Sequence, residues 1–317
     1  MQLKNKKVLV TGGAGFIPSH VTDLLVEKGA IVTVIDNLKT GSLKNLEKSK
    51  DRIDFYKIDV RDYKKVKSMV REQDIVFHCA ANADVPYSVK HPKYDFDTNT
   101  IGGFNILKSC VDFDVKKVIF ASSAAVYGEA KYVPIDEKHP LNPCSPYGAS
   151  KLATESLGFA YYKTYGLPFV TIRIFNTYGE RQPRYVMYDL LKKLYKDPTK
   201  LEVLGTGEQT RDYCYVTDTA RAFILAAEND NAVGDVFNLA GGNPISIKQL
   251  VKLLLEILKL KDVKVHYTGK SWKGDIVKLV ADVSKTKQIL GFEPKVSFTE
   301  GVQRLHNWLM KQEEKAI

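Results

Sequence analysis

Lys7-Val8-Leu9-Val10-Thr11-Gly12-Gly13-Ala14-Gly15-Phe16-Ile17-Pro18-Ser19-His20 decides the fold. A short apolar run stops in a glycine turn and passes at once into an amphipathic stretch, residues 16–28. Glycines let a backbone turn sharply and approach a pyrophosphate, whose charge then meets the N-terminus of the following helix. The segment reads as a first strand, a phosphate-binding turn (Gly12, Gly15, Phe16, Ile17) and a first helix. A signal peptide would need a longer apolar core and a small-residue cleavage site. Asp36 ends the next apolar run, 31–35, about 20 residues past the turn, where a carboxylate accepts hydrogen bonds from ribose hydroxyls and repels a 2′-phosphate. NAD is therefore favoured over NADP, with Lys39 as the nearby opposing charge. Pro18 stands where this fingerprint usually has its third glycine. In a first helical turn proline forgoes only an N–H that has no intrahelical partner, so the phosphate-facing amides of residues 15–17 are kept.

The alternation continues outward. Apolar runs at 53–58, 74–78, 116–121 and 168–173 alternate with amphipathic segments at 62–71, 95–113 and 147–165. Continuous rather than alternating apolar runs suit strands buried on both faces, the pattern of a doubly wound parallel sheet. This predicts an α/β Rossmann domain over residues 1–175, with a returning segment near 210–240. Over 176–317, helical stretches (184–196, 217–229, 246–259, 299–314) mix with short strand-like runs (201–204, 236–239, 263–267). The turn clusters GTGEQ (205–209) and AGGNP (240–244) punctuate them. A smaller α/β C-terminal lobe, packed on the first, is expected there.

Composition narrows the class. A chain of 317 residues, 44% hydrophobic and 26% charged, suits one large domain or two fused ones. No apolar run reaches the ~18 residues that a membrane span needs, so a cytoplasmic protein with no membrane partner is expected. The net charge of +10 is spread along the chain, and its densest cluster (Lys4, Lys6, Lys7) is short and lacks interleaved aromatics. That argues against a nucleic-acid partner. Cys79, Cys110, Cys144 and Cys214 lie far apart, with no Cys-x-x-Cys and no histidine pair at ligand spacing. Neither a disulfide framework nor a metal site is expected; the four read as small buried hydrophobes.

Tyr147 and Lys151 are four apart, on one face of the predicted helix 147–165. A phenol with an ordinary pKa of about 10 is a poor base at neutral pH. A neighbouring ammonium, together with the positive nicotinamide of NAD, stabilises its phenolate. Ser122 and Ser123 end the strand at 116–121 on the carboxyl edge, where open α/β sheets bind ligands. Ser123, Tyr147 and Lys151 form the candidate catalytic set.

With these residues the chain resembles the extended short-chain dehydrogenase/reductase family, in its UDP-glucose 4-epimerase-like branch. The resemblance runs through TGGAGFIPSH (11–20), IDNL (35–38), HCAANADV (78–85), NTIGGFNIL (99–107), SSAAVYG (122–128), SPYGASK (145–151), RIFNTYG (173–179), GTGEQTRDYCYV (205–216) and GDIVKLVAD (274–282). It implies cofactor contacts from Asn37, from Asp59 and Val60 beside the adenine, and from Ala80, Ala81 and Asn99 on the nicotinamide side. It also implies that residues 176–317 form a nucleotide-sugar-binding lobe. There Asn176 and Arg211 would hold the diphosphate and Asp275 the ribose. The family's usual arginine three residues before that aspartate is Trp272 here, flanked by Lys270 and Lys273.

The resemblance also sorts the chemistry. Related 4,6-dehydratases and uronate decarboxylases carry an acid/base where this chain has Ala124 and Ala125, and 3,5-epimerases carry a cysteine in place of Ala125. What remains can move one hydride and one proton, enough for NAD-dependent 4-epimerisation of a nucleotide-diphosphate sugar. The alternatives are a reductase of similar fold that releases its cofactor, and a non-catalytic NAD- or RNA-binding relative. Arg181, Arg184 and Tyr185 read equally as hexose contacts that would favour a carboxylate or as a solvated helix start. Leu279 is intermediate in bulk beside the sugar, so N-acetyl and uronate sugars both stay open. Surplus apolar side chains on 95–113 (Phe96, Ile101, Phe104, Ile106, Leu107, Val111) and 147–165 (Leu152, Leu157, Phe159, Tyr161, Tyr162) predict a homodimer built from these two helices.

Overall fold

The computed structural model describes residues 1–270 and 278–314. The first half runs β1 (Lys7–Thr11), α1 (Phe16–Glu27), β2 (Ile31–Asp36), β3 (Ile53–Lys57), α2 (Tyr63–Val70), β4 (Ile75–His78), α3 (Val85–Lys90), α4 (Pro92–Phe96), α5 (Gly102–Asp112), β5 (Lys117–Ser123), α6 (Pro146–Tyr165) and β6 (Phe169–Ile174). The second half runs β7 (Asn176–Tyr178), α7 (Val186–Lys196), β8 (Lys200–Val203), β9 (Thr210–Tyr215), α8 (Val216–Glu228), β10 (Asp235–Leu239), β11 (Pro244–Ser246), α9 (Ile247–Ile257), β12 (Lys264–Tyr267), β13 (Lys278–Leu279), α10 (Ser284–Leu290) and α11 (Phe298–Glu314).

Seven strands form one parallel sheet in the order β10-β6-β5-β4-β1-β2-β3. The continuous apolar runs are explained by burial on both faces. Val8, Val10, Ile75, Phe77 and Ile119 pack with Val21 and Leu25 of α1 and Phe223 and Ile224 of α8. Their neighbours Leu9, Val76, Val118 and Phe120 pack on the opposite face, with Val66 and Val70 of α2 and Ile106 and Leu107 of α5. Strand order reverses between β1 and β4, so the crevice beyond their carboxyl ends is the expected ligand position.

The chain leaves this sheet after β6 and re-enters it at α8 and β10. Outside it, β9 pairs with β7, β11 and β13, and β8 pairs with β12. Met187, Leu190 and Leu194 of α7, Leu250 and Leu254 of α9, and Leu305 and Leu309 of α11 make a separate core over these strands. β7, β9, β11, β13, α3 and α10 were not anticipated from the sequence. They are short or lie in turn-rich stretches whose pairing is set by distant partners. No helix among the described residues is long and apolar enough to cross a membrane.

The predicted helix 95–113 is interrupted by a π turn at Asp97–Ile101 between α4 and α5. Beyond it, glycines allow close crossings. A Cβ on Gly102 would lie 2.7 Å from Val60 Cγ2, and one on Gly103 would lie 2.6 Å from Thr154 Cγ2 on α6. Gly158 of α6 is tighter still, since its Cβ would sit 2.2 Å from Cζ of Phe169. Gly158→Ala should therefore cost about 1–3 kcal/mol by overpacking, although alanine is the better helix former. Chemical denaturation checks this; an unchanged or higher midpoint would mean that Phe169 moves aside freely.

Candidate active site

The crevice is held open from below by one hydroxyl. Thr11 Oγ1 accepts from the amides of Cys79 (3.2 Å) and Ala80 (3.1 Å) and lies 2.8 Å from His78 Nδ1. Thr11 Oγ1 and His78 Nδ1 share one hydrogen bond, and His78 Nε2 is buried with no protein partner. Burial pushes this histidine down to about 3, so the ring is neutral. The glycine turn rests on the same junction. Gly12 has φ +69°, and its Cβ would fall 2.8 Å from Ala80 Cα. Gly15 is the N-cap of α1 with no side chain capping it, and Pro18 is the third residue of that helix.

Asp36, at the end of β2, accepts from the amides of Leu38 (2.7 Å) and Ala14 (3.1 Å). Burial raises its carboxyl, and these two amides oppose the rise. Asp59 accepts from Asn37 Nδ2 and Arg61 Nε, each at 2.8 Å, and Arg61 above all holds its carboxyl well below the usual range. Lys39, the charge placed against NAD, lies 3.3 Å from the centre of the Tyr94 ring and donates to Tyr87 Oη.

Tyr147 and Ser123 are brought together by the start of α6. Ser145 caps the helix by accepting from the Gly148 amide at 3.1 Å, and Tyr147 N donates to Ser88 Oγ. Gly148 passes so close to the 124–126 turn that a Cβ there would lie 2.5 Å from Ala125 O. Burial pushes the Tyr147 phenol up, and its hydrogen bond with Ser123 opposes this. Lys151 is 4% exposed and donates to Ala121 O at 2.7 Å. Burial pulls it down to about 8. Beneath lies a buried ion pair, Arg173–Glu155 at 2.7 Å, extended through Tyr127 to Asn238.

One cavity of about 730 Å³ touches Gly12, Gly15, Phe16, Ile17, Asp36, Asn37, Val60, Ala80, Ala81, Ser123, Tyr147, Lys151, Asn176, Arg184, Arg211 and Leu279. The Asn176 Oδ1 atom is buried with no protein partner.

Some residues fall elsewhere. Asn99 is locked inside the protein, accepting from Asn82 N at 2.7 Å and donating to Ser150 Oγ at 2.9 Å. It shapes the 80–82 loop from behind rather than facing the cavity. Arg181 turns away to α1, where it pairs with Asp23 at 2.6 Å. Asp275, Trp272 and Lys273 lie outside the described residues. Asp84 was missed: it lines the cavity and pairs with Arg184, but nothing in ANADV distinguishes it from a loop carboxylate. Three cysteines are buried or half-buried, and burial pushes the Cys79 and Cys214 thiols up to about 12. Cys144, expected to be buried, is instead exposed on the cavity wall. Iodoacetamide should therefore label Cys144 first in the native protein, and the buried Cys110 and Cys214 only on unfolding. Peptide mapping by mass spectrometry reads the order; early label on Cys110 would contradict this packing.

Against known proteins, residues 9–305 match the GDP-mannose 4,6 dehydratase family. The chain is 36% identical over 308 residues to a putative UDP-glucose 4-epimerase of Methanocaldococcus jannaschii, covering 95% of this chain and 98% of that one. It superposes on the crystal structure of UDP-glucose 4-epimerase from Thermotoga maritima with UDP-glucose, with a TM-score of 0.91, 37% identity and coverage of 97% and 99%. A dTDP-glucose 4,6-dehydratase from Streptomyces venezuelae with NAD bound gives a TM-score of 0.90, 30% identity and coverage of 98% and 98%. The glycine turn at the switch point, the Ser-Tyr-Lys set and these full-length likenesses agree: the chain belongs to the extended short-chain dehydrogenase/reductase family, with the UDP-glucose 4-epimerase-like fold.

Proposed function

We propose that the chain is an NAD-dependent 4-epimerase of a nucleotide-diphosphate sugar, a UDP-hexose such as UDP-glucose or UDP-galactose, working through a 4-keto sugar. The observation that carries this reading is a single cavity whose wall includes the glycine turn, Asp36, the Ser123–Tyr147 pair and Arg211. A dinucleotide fits the residues present. The uncapped N-terminus of α1 suits a pyrophosphate. Asp36 is set by two backbone amides, leaving acceptor capacity for ribose hydroxyls. Lys39, on the same cavity wall, lies over the Tyr87 and Tyr94 rings.

When bound, NAD would supply a hydride acceptor and a positive charge near the phenol. The protein's own part is to move one proton and hold the sugar. Tyr147, as phenolate, takes the proton of the C4 hydroxyl while Ser123 hydrogen-bonds the same oxygen. Lys151 keeps a cation beneath them; its lowered pKa means that this charge fades above about pH 8 in the free protein. Arg211 and Asn176 grip the diphosphate, a guanidinium fork suiting such an anion, and the sugar turns about that link to present its other face. Ala124 and Ala125 line the same cavity, and their methyls cannot pass a proton, which favours epimerisation over water elimination. The purified protein should interconvert UDP-glucose and UDP-galactose without added cofactor. Tyr147→Phe should slow this at least ~10²-fold, the scale of a positioned acid/base. A need for stoichiometric NAD would favour a reductase, and near-normal turnover in the variant would remove Tyr147 from the mechanism.

The partner we propose is a second copy of the chain. Phe96, Ile101 and Phe104 stand 51%, 40% and 40% exposed on one side, and Tyr165 at the end of α6 is 64% exposed. Ile106 and Leu107, first counted with that face, are instead buried in the protomer's own core. Light scattering should give twice the 35.7 kDa chain mass. Phe104→Glu should halve that mass with the fold intact, whereas Leu107→Glu should unfold the chain; a wild-type monomer at micromolar concentration would end the proposal.

A further inference from the structure

Arg184 and Asp84 face each other on the cavity wall. Arg184 Nη1 donates to Asp84 Oδ2 at 2.6 Å, and both side chains are about a third exposed. The pair lines the same cavity as Ser123 and Tyr147.

Both partners are held. On the Arg184 side, the chain is tied to α1 twice, by His20 Nε2 donating to Glu180 O at 3.1 Å and by Arg181 pairing with Asp23. It then crosses to the loop before α3, where Tyr185 Oη donates to Ala83 O at 3.0 Å. Arg181 and Tyr185 adopt φ of +67° and +84°, conformations that non-glycine residues keep only when surrounding contacts impose them. On the other side, Asp84 caps α3 by accepting from Tyr87 N at 2.8 Å.

We propose that the Asp84–Arg184 pair is a charge filter that admits neutral hexoses and turns away hexuronates. The inference rests on the nucleotide-sugar reading and names the substrate class within it. A cavity-facing guanidinium with no partner would invite a sugar carboxylate. Here it is already engaged by Asp84, and the Asp84 carboxylate borders the same space. A uronate brought alongside meets a like charge and competes with Asp84 for the guanidinium. A neutral C6 hydroxyl leaves the pair intact. Discrimination thus comes from a repulsive element as much as from an attractive one.

Calorimetric titration of the purified protein with UDP-glucose and with UDP-glucuronate tests the filter apart from turnover. The wild type should bind UDP-glucose at least tenfold tighter. Asp84→Asn keeps a helix-capping side chain and removes the charge, and it should narrow the ratio at least tenfold. Arg184→Gln leaves Asp84 uncompensated and should widen it. Equal wild-type affinities, no binding of either ligand, or a ratio unmoved by Asp84→Asn would overturn the proposal. If the ratios move as expected while no epimerisation is seen, the filter stands and the proposed reaction fails.

Discussion

The Thr11 hydroxyl is the junction on which the site depends. At the point where β1 and β4 part, it accepts hydrogen bonds from the two amides that follow β4 and shares a third with His78. That arrangement fixes where residues 79–81 run, and the glycine turn can then approach them only because Gly12 has no Cβ. The border of the crevice between β1 and β4 follows from these two close approaches. A parallel sheet of this order opens at its switch point in any sequence; here one threonine sets how the opening is bordered.

Some of the buried charge lies beneath the candidate site. The Arg173–Glu155 pair is nearly inaccessible, and Lys151 is held close to a backbone carbonyl rather than to a carboxylate. An ammonium in such a place is costly, and its lowered pKa reflects that cost. Structural stability alone would not favour the arrangement, since well-packed apolar side chains often do as well as a buried pair. It is intelligible if a cation is needed beside Tyr147.

The sheet was legible because its strands are buried on both faces and its glycine turn is a local signal. Tyr147 and Lys151 were legible for the same reason: four residues on one helix fix their relation without reference to the rest of the chain. What could not be read depends on residues far apart. Asp84 gains its meaning from Arg184, a hundred positions away. Asn99 sits inside the motif that carries the resemblance, yet its side chain faces Asn82 and Ser150, because the π turn rotates it inward. Cys144 looked like any other small apolar residue until the loop before α6 placed it on the cavity wall.

That π turn has a further meaning. A regular helix advances about 100° per residue, so one extra residue in a single turn redirects every side chain that follows. Before Asp97–Ile101 the rod points Asp95 into the polar network around Asn82; after it, Phe104 points to solvent while Ile106 and Leu107 point to the sheet. One element thus serves the inner loop around Asn82 and an outer apolar surface whose spacings do not match. Removing a single residue from this turn would put the two halves out of phase, so the length of the segment, as much as its composition, ties the polar network to the apolar surface.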